Sequence, residues 1–226
     1  MQLDKSSFTR PGVKNAALEE LIRENSTSVT YPAKRVFLEP GMEPPGVYYI
    51  VDGRTRHYMI GADGTEKILY TLSAGWFYGE TPCSLGEPTG LFSKAEVKTQ
   101  INIIPHNTYE KLLDTNKMFR DAILESYSNK MLILRHEIEN LTFNSCKNRL
   151  KRLFCSTADT DRLIEDKWYG LKVQYTQYEL STIVGGARVT ISKLINELCD
   201  ESFIRILNRS TQVSAEKYKE FVEKRY

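Results

Sequence analysis

Glycines 53, 64, 75 and 86 recur at intervals of 11 residues, inside a stretch where apolar and polar residues alternate in short runs. That interval leaves room for one strand and one turn per repeat. It fits short antiparallel strands wound into a barrel or jelly roll rather than βαβ units, whose crossover helix needs a dozen or more residues. The runs "RVFL", "VYYIV", "KILYTL" and "INII" read as strands, and Pro40-Gly41, Asp52-Gly53, Asp63-Gly64 and Ala74-Gly75 as the turns between them. Asp63-Gly64 is a tight-hairpin signal. Ahead of the strands, "AALEELIREN" reads as a short helix packed on the barrel.

After Pro105 the period changes. Tyr127, Met131, Leu134, Ile138 and Leu141 follow at steps of 4, 3, 4 and 3 with polar residues between, the a/d seam of a coiled coil. One amphipathic helix packed on its own domain gives a similar pattern. A helix running from Met118 to Leu141 between two compact regions, however, has too little of its own chain to cover it, and a parallel homodimer is expected. Beyond it, "NRLKRLFCSTA" reads as a helix with Leu150, Leu153 and Phe154 inward, and "YGLKVQY" as a strand.

The most specific stretch is "TQYELSTIVGGARVTISKLINEL". Thr176 and Glu179 form a capping box that starts a helix carrying Leu180, Ile183 and Val184 inward, and Gly185-Gly186 end it. In the next helix Ile191, Leu194, Ile195 and Leu198 fall at i, i+3, i+4 and i+7, so Val189, Lys193 and Asn196 face outward with Arg188 and Ser192 on the flank. Two helices around so tight a turn make a helix-turn-helix, and "FIRIL", the polar turn from Asn208 to Thr211 and "QV" supply a wing. The residue types suit double-stranded DNA. Thr176, Gln177, Arg188, Lys193, Asn208 and Arg209 can meet phosphates or base edges, Thr190 and Ser192 offer hydroxyls, and the Val189 methyls can pack on a thymine methyl. A helical hairpin with a solvated polar face is the plainer alternative.

The charge distribution agrees. From residue 145 onward 15 Lys and Arg stand against 11 Asp and Glu, while the preceding residues are slightly acidic in a chain of formal net charge +2. Cysteines 83, 146, 155 and 199 show no CxxC and no metal-ligand spacing with the histidines, so reduced thiols and no metal are expected. No h-region opens the chain and no apolar window approaches a membrane span, which predicts a cytoplasmic protein without membrane contact. GxSxG, Walker, HExxH and GxGxxG patterns are absent from the sequence, and an enzyme is not expected.

With "VYYIVDG", "DGTEKILYTLSAGWFYGE", a long helix ending in "ENLTF" and the helix-turn-helix in one order and spacing, the chain resembles the cyclic-AMP-receptor and fumarate-nitrate-reduction (Crp/Fnr) type bacterial transcription factors. The resemblance implies an α+β chain. It would have an N-terminal double-stranded β-helix, a jelly roll like cyclic-nucleotide-binding domains, over 1–116, a dimerisation helix over 117–144 and a winged helix-turn-helix over 145–226. It also implies a homodimer reading a palindrome, probing RNA polymerase as a partner and acting as an activator under the control of a small molecule.

Two departures sharpen that expectation. The usual recognition helix has Arg then Glu, whereas here Val189 follows Arg188; an aliphatic side chain cannot accept from a cytosine amine, which predicts an A/T-rich half-site. Cyclic nucleotide binding in the family uses Gly-Glu for the ribose and Arg-Ser for the phosphate. Gly79-Glu80 is present, but Ser93-Lys94 stands for Arg-Ser, and Lys94 lacks the bidentate fork, which argues against cyclic AMP. The positions that line the family's effector pocket correspond to His57, Tyr70, Tyr78, Gly79, Glu80 and Thr81 on the barrel and Lys130 and Leu134 on the dimer helix. Two tyrosines and a lysine suit an aromatic acid or phenolate, as in the chlorophenol-sensing halorespiration regulators that the chain looks most like. Control by a cyclic nucleotide, haem or redox state, an empty barrel in a constitutive DNA-binding protein, and tyrosines that merely pack the strands remain alternatives.

Overall fold

The computed structural model describes residues 12–62 and 64–223. The stretch Met1–Pro11, read above as carrying no leader, and Asp63 of the expected Asp63-Gly64 turn lie outside the described residues. Gly64 itself has φ +78°, and Gly53 and Gly75 have φ +94° and +89°, so the 11-residue interval marks places where the backbone turns left-handed. Gly86 shares the positive φ but ends a short helix instead of joining two strands.

Asn15 caps α1 (Ala16–Glu24), its side chain accepting from the Ala17 amide, and Leu18 and Ile22, one turn apart, are buried against the sheet. The strands follow as β1 (Thr27–Tyr31), β2 (Val36–Leu38), β3 (Gly46–Asp52), β4 (Arg54–Ile60), β5 (Glu66–Ser73) and β6 (Phe77–Tyr78). After α2 (Glu80–Leu85) come β7 (Phe92–Ala95) and β8 (Thr99–Pro105). They form two four-stranded sheets of order β1-β8-β3-β6 and β2-β7-β4-β5. Consecutive strands alternate between the two sheets except β4 and β5, which are neighbours in the second, and this is the jelly-roll winding expected from the sequence.

Two helices close this region, α3 (His106–Thr115) and the 27-residue α4 (Lys117–Phe143). The buried face of α4 is Phe119, Ala122, Ile123, Ser126, Lys130, Ile133 and Glu137. Leu124, Met131 and Ile138, at steps of seven, lie on a different face and are exposed, with Tyr127 and Leu134 half-buried beside them. Of the seam read from the sequence, Met131, Ile138 and Leu141 are exposed as an apolar stripe, whereas Tyr127 packs against the core of the N-terminal unit.

The chain then forms α5 (Cys146–Thr157), β9 (Ala158–Ile164), β10 (Trp168–Leu171), α6 (Gln177–Val184), α7 (Arg188–Asp200), β11 (Ile204–Leu207), β12 (Ser210–Ser214) and α8 (Ala215–Glu223). The hairpin of β9 and β10 extends the expected wing into a four-stranded sheet of order β11-β12-β10-β9. The strand expected over "YGLKVQY" stops at Leu171. By packing, among the described residues, 12–61 together with Ile68–Glu137 make one compact unit, and 138–223, with the described residues of 62–67, make another. Leu150, Leu153 and Phe154 of α5, Leu180 and Val184 of α6, and Ile191, Ile195 and Leu198 of α7 share one core in the second unit. Among the described residues no helix is long and apolar enough to cross a membrane.

Candidate functional sites: a charged cluster inside the barrel and an exposed recognition helix

Strand register builds the first site. On β3 and β6, Tyr48 stands opposite Tyr78, and their rings stack with centroids 4.6 Å apart. On β4 and β7, His57 stands opposite Ser93, and Nδ1 lies 3.0 Å from the Ser93 hydroxyl while Nε2 lies 2.9 Å from that of Thr55. The inner faces of the two sheets meet where the His57 ring lies 4.8 Å from Tyr78 and 5.1 Å from Tyr70. Phe37, 5.8 Å from Tyr78 and stacked on Tyr31 at 4.7 Å, continues the run of rings. Both imidazole nitrogens are thus engaged within the protein. Burial, with the Lys130 charge nearby, holds His57 down at about 3, so the ring is neutral at physiological pH.

Gly79 turns the chain from β6 into α2 with φ +82°, and a Cβ there would come within 3.0 Å of the Tyr48 ring. A glycine at this corner therefore lets Glu80 point inward. Glu80, only 2% exposed, is bonded to the Lys130 amine, and the Ser126 hydroxyl donates to the same carboxylate at 3.2 Å. Ser126 and Lys130 are one helical turn apart on the buried face of α4. Burial lowers Lys130 while its bond to Glu80 works the other way. Burial first, then the Glu80 charge, raises Tyr70, and burial raises Tyr78 well above the usual phenol range. The Tyr78 hydroxyl is buried with no hydrogen-bond partner among the described residues.

Of the residues expected at the pocket, His57, Tyr70, Tyr78, Gly79, Glu80 and Lys130 come together. Three do not join them. Thr81 is exposed. Lys94 stands opposite Arg56 on the outer face of its sheet, because Ser93 and Ala95 take the inward positions of β7. Leu134 lies between the buried face of α4 and the apolar seam. Sequence reasoning named Ser93 only as half of a phosphate site, and it missed Thr55, Ser126 and Tyr48. The first two follow from period-two alternation once the strands are paired, and Ser126 from its spacing of four to Lys130.

The second site is the helix pair of the C-terminal unit. The capping box is formed: the Glu179 amide donates to the Thr176 hydroxyl, and the Thr176 amide to the Glu179 carboxylate at 2.8 Å. Gly185 ends α6 with φ +70°. On α7 the buried Ile191, Ile195 and Leu198 leave Arg188, Val189, Thr190, Lys193 and Asn196 exposed and Ser192 half-buried on the flank. Thr176 and Gln177 at the start of α6 are also exposed. The Arg188 guanidinium sits over the Tyr178 ring at 5.3 Å. Asn208 and Arg209, with φ +48° and +63°, make the two-residue turn between β11 and β12 and are exposed at its tip. Behind α7, Lys147 is paired with Glu197 and Glu201, and Lys151 with Glu201. Arg149 of α5 donates to two carbonyls, Asn144 after α4 at 3.1 Å and Gly185 after α6 at 3.2 Å. Among the described residues no group of His, Cys, Asp and Glu has the arrangement of a metal site.

Comparison with known proteins bears on the fold. Residues 28–116 match the family model of the cyclic nucleotide-binding domain. Over 175 residues the chain is 23% identical to the cAMP-activated global transcriptional regulator CRP of Haemophilus influenzae, covering 77% of this chain and 78% of that protein. Over 181 residues it is 26% identical to the transcriptional regulator SdrP of Thermus thermophilus, covering 79% and 85%. Among solved structures it superposes on the c-di-GMP responsive global regulator CLP of Xanthomonas campestris with a TM-score of 0.77 at 18% identity, over 88% of this chain and 99% of that one. The chain therefore has the Crp/Fnr-like fold, in which an N-terminal cyclic-nucleotide-binding domain is followed by helices and a C-terminal domain.

Proposed function

We propose that the protein is an effector-controlled, sequence-specific transcription regulator that binds double-stranded DNA as a homodimer. The observation that carries this reading is the second helix of the C-terminal pair. Its buried side is wholly apolar, and its exposed side presents Arg188, Val189, Thr190 and Lys193 at the N-terminal end, where a recognition helix meets base edges. The wing tip, with Asn208 and Arg209, offers a phosphate contact. The relatives along most of the chain are transcription regulators, which supports the same conclusion.

Dimerisation through α4 fits the exposed stripe of Leu124, Met131 and Ile138. A ligand in the barrel would touch α4 through Lys130, so that the residue that senses the ligand and the helix that joins the protomers are one element. Only a ligand that contacts the two arrangements of the dimer unequally can shift their populations. The interior favours a small anionic aromatic over a cyclic phosphate. Stacked rings and the Lys130 amine face inward, whereas Lys94 stands on the outer face. The Val189 methyls favour thymine at the corresponding base pair, and hence an A/T-rich palindrome. Activation through RNA polymerase is the accompanying expectation.

The test is selection of binding duplexes from a random pool, followed by titration of the enriched duplex with benzoate, hydroxyphenylacetate and cyclic AMP. Two half-sites about one helical turn apart are expected to emerge, with affinity altered by an aryl acid. A pool that shows no enrichment refutes the DNA reading. A response to cyclic AMP alone refutes the aromatic-anion reading and leaves the rest.

A further inference from the structure

The anion receptor inside the barrel is already occupied by a residue of the protein. Lys130 and Glu80 are both buried and bonded to each other, and Ser126 adds a hydroxyl to the same carboxylate. A second anion brought to Lys130 would leave two negative charges against one positive charge in a site shielded from water. An uncompensated buried charge is costly, and the cheapest remedy is to neutralise one group with a proton.

The surroundings leave few candidates for that proton. From β4 His57 lies near the Lys130 charge, and from β5 Tyr70, from α2 Cys83 and from α3 Tyr109 lie near that of Glu80; Tyr78 of β6 borders His57, Tyr127 of α4 lies near Tyr70 and Tyr109, and the next buried acid on α4 is Glu137, two turns beyond Lys130. His57 is held neutral with both nitrogens bonded. Burial pushes the Cys83 thiol up to about 11 and the Tyr109 phenol up to about 12, so neither carries charge near neutrality. Lys130 and Glu80 are held together as an ion pair, so a further anion adds net charge to the cluster. Among the described residues the one fully buried hydroxyl without a partner is that of Tyr78, a donor still on offer to an incoming oxygen.

We propose that Lys130 receives a small aromatic monoanion and that Glu80 is its built-in competitor, displaced from the amine and protonated when the ligand enters. The exchange rests on the effector reading above. One proton from solvent adds to the Glu80 carboxylate for each ligand anion bound, and the charge of the site is unchanged. The ring of the ligand has to part Tyr78, His57 and Tyr70, whose own rings touch in the ligand-free protein. In this design the ion pair sets the threshold for the response, because ligand affinity includes the free energy of breaking it. It also makes acidity a second input, since protons favour the bound state.

The experiment uses the full-length protein with benzoate as the probe, titrated calorimetrically in two buffers of different ionisation enthalpy. Wild type is expected to take up about one proton per benzoate, with affinity falling about tenfold for each unit of rising pH. Glu80→Gln should bind benzoate at least tenfold more tightly at acidic pH, where the Lys130 amine, lowered by burial and no longer held by Glu80, still carries its charge. Lys130→Met should abolish binding, and Glu80→Gln/Lys130→Met, which carries no buried charge in the pair, should fold and not bind. Binding by wild type without proton uptake overturns the exchange. So does a Glu80→Gln protein that at acidic pH binds benzoate no better than wild type, or does not bind it at all. The affinity of the same preparations for the selected duplex is measured alongside. Loss of the exchange with DNA binding intact removes only the competitor, whereas absence of DNA binding removes the underlying function.

Discussion

Replacing Met131 and Ile138 together by glutamate should convert a dimer into a monomer while leaving each protomer folded. Both side chains lie on the seam face of α4, 68% and 64% exposed, so the fold of one protomer does not depend on covering them. Full burial of a Met or Ile side chain is favourable by about 1.5–3 kcal/mol, and the exposed two thirds of each by about 1–2 kcal/mol. Two such side chains on each of two helices sum to about 4–8 kcal/mol, before the repulsion of facing carboxylates is added. That corresponds to a dimer dissociation constant weaker by roughly a thousandfold to a millionfold. Sedimentation equilibrium from nanomolar to micromolar protein reads this directly, with circular dichroism as the check on helix content. A wild type that sediments as a monomer at micromolar concentration refutes the reasoning, as does a double variant that dimerises as tightly as wild type.

Three further outcomes follow from the two sites. Tyr78→Phe should stabilise the ligand-free protein by about 1 kcal/mol in urea unfolding, because it removes a buried hydroxyl that lacks a partner, and a clear loss of stability would contradict that reading. His57 is held at about 3 in the fold against about 6.5 in the unfolded chain, so the unfolded chain binds the extra proton. Its contribution is full above pH 6.5 and declines as pH falls toward 3, by about 2 kcal/mol between pH 7 and pH 5; His57→Gln should flatten that slope, and an unchanged slope counts against it. Val189→Glu, tested by selection from random duplexes, should move the preferred base pair from T·A toward C·G with about 10–100-fold discrimination, and an unaltered half-site would show that residue 189 does not face the bases.

The sequence displays the recognition helix more fully than the barrel interior, and the reason is the range of the contacts. Capping box, Gly185 turn and the Ile191-to-Leu198 stripe are all set by residues within a few positions of one another, and each takes the form expected. The interior is built across strands: His57 meets Ser93, and Tyr48 meets Tyr78, through register that no single strand reveals. Lys94 was expected near the pocket from the family's Arg-Ser position and stands outside it, because successive residues of a strand face opposite sides and Ser93 takes the inward place. The β9–β10 hairpin was missed because its turn uses Glu165 and Asp166 in the left-handed region, residues that do not announce a turn as Asn-Gly does.

Arg149 gives the C-terminal unit a mechanical property. One guanidinium holds the carbonyl of Asn144, just past the end of α4, and that of Gly185, in the turn between α6 and α7. A planar fork fixes the angle between its bonds as well as their lengths. The two points therefore share a single rigid bracket. A rotation at the end of α4 that keeps both bonds has to carry the turn with it. Lysine in its place would keep the charge and behave as a loose pin, so the two helix ends could slip past each other by a rotamer's width.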